Sequence, residues 1–242
     1  MARVIHTDMK KLNTINKIYA AILILLVIST IARVLIYREW DRYYYGATIS
    51  APHSYPINVR EGHFVLENGE THYINSSEVN ENRIFNWGDG DYSDPTTKER
   101  LPAKLVLGYA SYRDSSFYAD TIDLPVEAIE KAFKSVKTNG ILVSRYQAAP
   151  DFKLDFVVGI ANKGNVIVWL RGENFETVLL KHKIVPHEPV GDDTYYERRL
   201  PKKQYFNKAF SIDSADLEAY KKGFDKDANY IDSPSQFKLR LQ

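Results

Sequence analysis

The stretch Trp87-Gly88-Asp89-Gly90-Asp91-Tyr92-Ser93-Asp94-Pro95 sets three carboxylates within nine residues, beside two aromatic side chains. Oxygen ligands grouped this closely are what a calcium ion requires. The spacing fails the helix-loop-helix calcium template. Counted from Asp89, the sixth place holds Asp94 instead of glycine, and the twelfth holds Arg100 instead of glutamate. A solvated acidic turn with no metal is the better reading. Trp87 and Tyr92 amid carboxylates also give it the composition of a protein-binding edge. Glu188, Asp192, Asp193 and Tyr195-Tyr196 repeat that mixture. The chain has 17 tyrosines; interfaces use such side chains as anchors, though tyrosine is also an ordinary strand residue. The candidate partner-binding residues are Trp87, Asp89, Asp91 and Tyr92, followed by Asp192, Asp193 and Tyr195.

The histidines offer a second chemistry. If Asn68-Gly69 is a two-residue hairpin turn, Val65 pairs with His72 and His63 with Ile74, which puts both imidazoles on one sheet face. Two imidazoles fall short of the three or four protein ligands that zinc takes, so they are expected to be solvated histidines. His182 faces the apolar side of its strand and is expected to be hydrogen-bonded and partly buried. His187 lies in a loop with no visible partner. Gly-x-Ser-x-Gly, a Gly-rich phosphate loop and His-Glu-x-x-His are all absent. There is no cysteine, which removes disulfides, thiolate metal sites, cysteine nucleophiles and lipid-modified cysteine. The expectation is a non-enzyme without a cofactor.

Strand patterns dominate the elements that must carry these residues. Glu61 to Ile74 forms a hairpin around Asn68-Gly69. Lys104 to Tyr112 and Phe117 to Leu124 flank a four-residue loop. Three more strands run over residues 153–161, 166–170 and 177–185, with turns at Asn162-Lys163-Gly164 and Arg171-Gly172-Glu173-Asn174. In the last strand Val178, Leu180, His182 and Ile184 share one face, opposite Lys181 and Lys183. Residues 237–241 alternate and suggest an edge strand. A helix opens at Leu124-Pro125 with an apolar stripe of Val126, Ile129, Phe133 and Val136, pairs Glu127/Lys131 and Glu130/Lys134, and a stop at Gly140. A weaker helix near Ser214 carries Leu217, Tyr220 and Phe224. Hairpins with segregated helices predict an α+β domain built on an antiparallel sheet or sandwich.

Residues 18–37 form an apolar run of the roughly 20 residues needed to span a bilayer. Arg33 sits where its stem reaches the headgroups, and Trp40 and Tyr43-Tyr44-Tyr45 suit an aromatic belt. Arg3, Lys10, Lys11 and Lys17 precede the run against Asp8 alone, so the N-terminus is expected in the cytoplasm and the bulk of the chain outside. Arg33 and the apolar residues beyond Ala32 favour an uncleaved anchor over a signal peptide. The predicted layout is a cytoplasmic tail (1–17), an inner-membrane anchor (18–37), a juxtamembrane segment (38–45) and a periplasmic domain (46–242). Residues 38–242 hold 27 basic and 30 acidic side chains, which gives no nucleic-acid footprint.

Leu101-Pro102-Ala103-Lys104-Leu105-Val106-Leu107-Gly108-Tyr109-Ala110-Ser111-Tyr112 leads to Phe117-Tyr118 and Leu124-Pro125. Val157-Val158-Gly159-Ile160-Ala161, Gly164-Asn165-Val166, Val168-Trp169-Leu170 and Gly172 follow. This block resembles the uncharacterised bacterial family known as domain of unknown function 2931. The resemblance implies a small envelope lipoprotein-like protein, in a family sometimes encoded beside interbacterial toxins, and hence an immunity role. The chain departs from the lipoprotein pattern in lacking the acylated cysteine, whose place the apolar helix takes. The expected function is a membrane-anchored periplasmic protein that neutralises a secreted antibacterial toxin, such as a phospholipase, by occluding its active site. The alternatives are a structural or accessory component of an envelope assembly, then an envelope enzyme. The expected partners are a cognate toxin or another envelope protein, and the inner membrane.

Overall fold

The computed structural model describes residues 13–52, 54–81, 87–90, 97–138, 154–172, 175–210 and 230–232. The chain divides into two compact units, Met1–Arg42 and Tyr43–Gln242. In the first, helix α1 (Thr14–Tyr37) opens where the Asn13 side chain accepts the Asn16 N–H at 2.9 Å, a side-chain cap. None of its residues is buried. By length and composition it is able to cross a membrane. The hydroxyls of Ser29 and Thr30 donate to the Leu25 and Leu26 carbonyls at 2.8 Å each, so the helix satisfies its own polar groups, as lipid demands. Arg38 ends it in left-handed backbone, and the Arg42 guanidinium stacks 4.2 Å from the Tyr37 ring.

The second unit begins with β1 (Ala47–Ser50), β2 (Ile57–Leu66), β3 (Thr71–Tyr73) and the single turn α2 (Ser77–Asn80). β4 (Pro102–Ser111), β5 (Ser116–Asp123) and α3 (Val126–Thr138) follow. Then come β6 (Asp155–Ile160), β7 (Asn165–Gly172), β8 (Phe175–Lys183), β9 (Pro186–His187), β10 (Tyr195–Tyr196), β11 (Arg198–Arg199) and α4 (Lys202–Ala209). One sheet has the order β1-β6-β7-β8 and the other β3-β2-β4-β5-β9, with β10-β11 as a separate ribbon. All pairings between the described strands are antiparallel except β1 on β6. The architecture is α+β.

A single core takes inward residues from both sheets and from α3. Phe156, Val158, Val166, Val168 and Leu170 meet Phe64, Leu105, Leu107 and Tyr109, and Ile129, Phe133 and Val136 join them. Three of the four stripe residues therefore fall where the three-and-four spacing put them, Val126 staying half-buried in the first turn, and Glu130 pairs with Lys134 at 2.6 Å on the wet side. β6 and β7 are buried on their other face as well, where Val157, Ala161, Ile167 and Trp169 meet Trp87, Tyr230 and Ile231. That double burial explains their near-continuous apolar sequences. The second face of the other sheet carries Ala110 and Phe117, covered by Leu200, Tyr205, Phe206 and Phe210 in and around α4.

Three details differ from the sequence reading. The β2–β3 turn has three residues: Leu66 accepts the Gly69 N–H at 2.9 Å and donates to Glu70 at 2.8 Å, with Gly69 at φ 83°. His63 therefore pairs with Tyr73 and Phe64 with His72, and the one-residue slip puts the two histidines on opposite faces. In β8, Leu180 opposes Val168 while Val178 opposes Trp169. Leu179 is thus a bulge residue, and Val178 lies on the face opposite Leu180. Helix α4 was not foreseen. The expected helix near Ser214, the strand at 237–241 and the stop at Gly140 lie outside the described residues.

Candidate functional site

The loop at residues 87–90 is built from beneath. Gly159 of β6 has no side chain to spare: a Cβ there would lie 2.5 Å from the Trp169 ring and 2.7 Å from that of Trp87. The two indoles close over its backbone edge-to-face, 5.1 Å apart, and Tyr230 packs 5.6 Å from Trp87. Gly88 donates its N–H to the Ser50 hydroxyl of β1 at 3.0 Å. Its carbonyl accepts Arg171 Nη1 at 2.6 Å. Arg171 and Glu176 are direct cross-strand partners, with Nε and Nη2 each 3.1 Å from Glu176 Oε2. The Arg171 and Glu176 side chains are only 7% and 2% exposed. A charge this deep is held only because a partner neutralises it, so the pair fixes the loop on the sheet. Trp87 is buried and acts as the loop's internal anchor, leaving Asp89 as its half-exposed described carboxylate. Asp91 and Tyr92 lie outside the described residues.

The second expected group lies in a tightly bonded turn. Val190 N–H donates to Asp193 Oδ2 at 2.7 Å, and Tyr195 N–H to the Asp192 carbonyl at 2.9 Å. Asp192 receives Arg199 Nε at 2.9 Å. From β2, Arg60 donates to the Tyr195 carbonyl at 2.8 Å. Tyr195 and its neighbour Tyr196 remain 48% and 40% exposed. The structure thus keeps Tyr195 available at the surface while Asp192 and Asp193 are occupied within the loop.

The four described histidines are all partnered. His72 sits between Tyr45 and Phe64, 2.6 Å from Glu99, and the Tyr45 hydroxyl donates to the Arg100 carbonyl at 2.7 Å. Burial, then the Glu99 charge, pushes the Tyr45 hydroxyl far above the usual phenol range. His63 lies 3.6 Å from Glu61. His182 of β8 bonds Asp120 of β5 at 2.7 Å, the partly buried, hydrogen-bonded state expected of it. His187, which had no visible partner in the sequence, meets the Glu188 carbonyl at 2.9 Å. No group of three or more His, Cys, Asp or Glu side chains able to hold a metal occurs among the described residues.

A carboxylate cluster went unnoticed in the sequence. Asp114, in the β4–β5 turn, accepts hydrogen bonds from the Tyr55 hydroxyl, from the Tyr118 hydroxyl at 2.8 Å and from the Lys163 N–H at 3.3 Å. Tyr109 stacks on Tyr118 with centroids 4.9 Å apart. Burial, reinforced by the Asp114 charge, raises the Tyr55 and Tyr118 hydroxyls well beyond ordinary phenols. Burial likewise raises Tyr109. The Tyr55 and Tyr118 hydroxyls stay protonated and serve as donors to the carboxylate, a structural role.

Comparison with curated proteins and with solved structures finds no match. The sequence profile of one family matches residues 37–233. That span covers the whole two-sheet unit up to the Tyr230 contact on Trp87, and the chain belongs to the family described as "Protein of unknown function (DUF2931)".

Proposed function

We propose that the two-sheet unit is a protein-binding module held at the bacterial inner membrane, and that it serves as an immunity protein against a secreted antibacterial toxin. One observation carries the binding reading. Both faces of β6 and β7 are buried, and α4 covers part of the other sheet's second face, so chemistry toward a partner falls to loops. There, four large apolar side chains stay exposed within residues 185–196: Val185, Val190, Tyr195 and Tyr196. Exposed apolar groups gathered in this way mark interaction surfaces.

Helix α1 supplies the anchor in this reading. The four cations before the apolar run at 18–37 favour a cytoplasmic N-terminus and a periplasmic two-sheet unit. A tether of this kind concentrates an inhibitor where a membrane-attacking toxin, a phospholipase for instance, must act. The module then blocks the toxin's active cleft, with buried aromatic anchors setting residence time and charges setting partner choice. The test is challenge of cells, with and without this gene, by the toxin encoded beside it. Cells carrying the gene should survive at least tenfold better. Equal survival rejects the immunity role, and co-purification of the chain with a multiprotein assembly would instead make it an envelope component.

A further inference from the structure

We infer that the partner is gripped by the tip formed by residues 190–198, and that the surface it meets there is a shallow apolar cleft rimmed by carboxylates. This rests on the protein-binding reading and names its surface. The tip is prefolded. Beyond the bonds already described, Leu200 N–H reaches the Thr194 carbonyl at 3.1 Å, Lys202 reaches Glu188 at 2.9 Å, and Arg60 Nη2 reaches the Asp192 carbonyl at 3.4 Å. A loop already ordered loses little freedom when it docks.

Its charge pattern is the reverse of what its composition suggests. Asp192 is paired with Arg199 and Glu188 with Lys202, while Asp193 takes the Val190 N–H and lies 3.7 Å from His187. Asp192, Asp193 and the neighbouring Glu188 are thus occupied internally, and Glu197 is the remaining acid of the tip. Arg198, the cross-strand partner of Tyr196, has no carboxylate partner among the described residues. Lys208 has none either, and its ammonium lies 5.8 Å from the centroid of the Tyr196 ring. Glu197 sits at the turn between Tyr196 and Arg198, with φ 60°. Tyr196 and Arg198 therefore share one face of the β10–β11 ribbon, edged by Lys208, while Tyr195 and Arg199 share the other, so a tip inserted into a cleft shows an aromatic ring and a cation on each side. Complementarity calls for an acidic rim, and tyrosine beside arginine is the pairing that dominates interface energetics.

The experiment uses the full chain in detergent micelles and, as probe, the purified toxin encoded by the adjacent gene. Y195A and Y196A should each weaken the complex at least about 30-fold. The double variant R198E/K208E should slow association at least tenfold and invert its salt dependence. Y195F should bind within about threefold of the parent chain, since the ring is retained. Thermal melts of all variants should match the parent chain, because these side chains are exposed. A complex that forms with unchanged affinity in Y195A and Y196A overturns the tip assignment and leaves the protein-binding reading intact. A parent chain that fails to bind overturns both.

Discussion

At the scale of single residues, the molecule gives its buried charges a partner in place, as at Arg171 and Glu176. The clearest case is Arg171, whose guanidinium serves both Glu176 and the Gly88 carbonyl from a nearly dry position. Its stem could be matched in volume by methionine, but the loss of charge would leave Glu176 buried with its main counter-ion gone. Arg171→Met is therefore expected to destabilise the two-sheet unit by about 3–5 kcal/mol, the usual cost of breaking a buried pair from one side. The double variant Arg171→Met/Glu176→Leu removes both charges and should recover most of that loss. Urea unfolding followed by tryptophan fluorescence reads both effects, because Trp87 and Trp169 sit beside the loop that Arg171 holds. A single variant within 1 kcal/mol of the parent chain would show that the pair does not fix the loop.

At the scale of elements, local patterns reveal which segments are strands but not how they are offset. The β4 and β5 alternation, the α3 stripe and the double-faced β6 and β7 were all visible, since each follows from its own periodicity. The β2–β3 register was not, because two-residue and three-residue turns both accept Asn68-Gly69 and a slip of one residue exchanges the faces. Gly69 at φ 83° makes the distinction testable. Gly69→Ala is expected to cost about 1–2 kcal/mol, the penalty of a side chain in left-handed backbone, with no change in the burial of His72. Urea unfolding gives the cost, and histidine chemical shifts report the burial. A neutral result with exchanged histidine environments would mean the hairpin had slipped. Helix α4 escaped notice for a different reason. Its eight residues are mostly Lys, Gln and Asn, and only Tyr205 and Phe206 are buried, too few to mark a stripe. The candidate site was half legible. Sequence marked the acidic, tyrosine-bearing loops, but what neutralises them comes from far along the chain: Arg171 reaches Gly88 across 83 positions, and Arg60 reaches Tyr195 across 135.

For the molecule as a whole, the two sheets are joined by polar clasps as well as by the core. Asp114 and Tyr118 belong to one sheet, and the Lys163 N–H comes from the β6–β7 turn of the other. The Tyr55 hydroxyl lies between them, receiving that N–H at 3.1 Å while donating to Asp114. His182 and Asp120 make a second link between β8 and β5. The tyrosine clasp gives the fold a particular response to alkali. Its phenols are raised from their ordinary value of 10.0, so above about pH 10 the unfolded chain releases protons that the folded chain retains. The stability these groups contribute is complete below that pH and declines as pH rises through the window between the unfolded and folded values. A freely solvated phenol ionises at about pH 10. The absorbance of the buried ones should instead appear together with loss of circular dichroism, as a single cooperative step at higher pH. Tyr118→Phe removes one of the retained protons and one donor to Asp114, so it should lower stability at pH 7 by about 1.5–3 kcal/mol and flatten the alkaline decline. If all the tyrosines ionised near pH 10 with the fold intact, the Asp114 clasp would not be holding the sheets together.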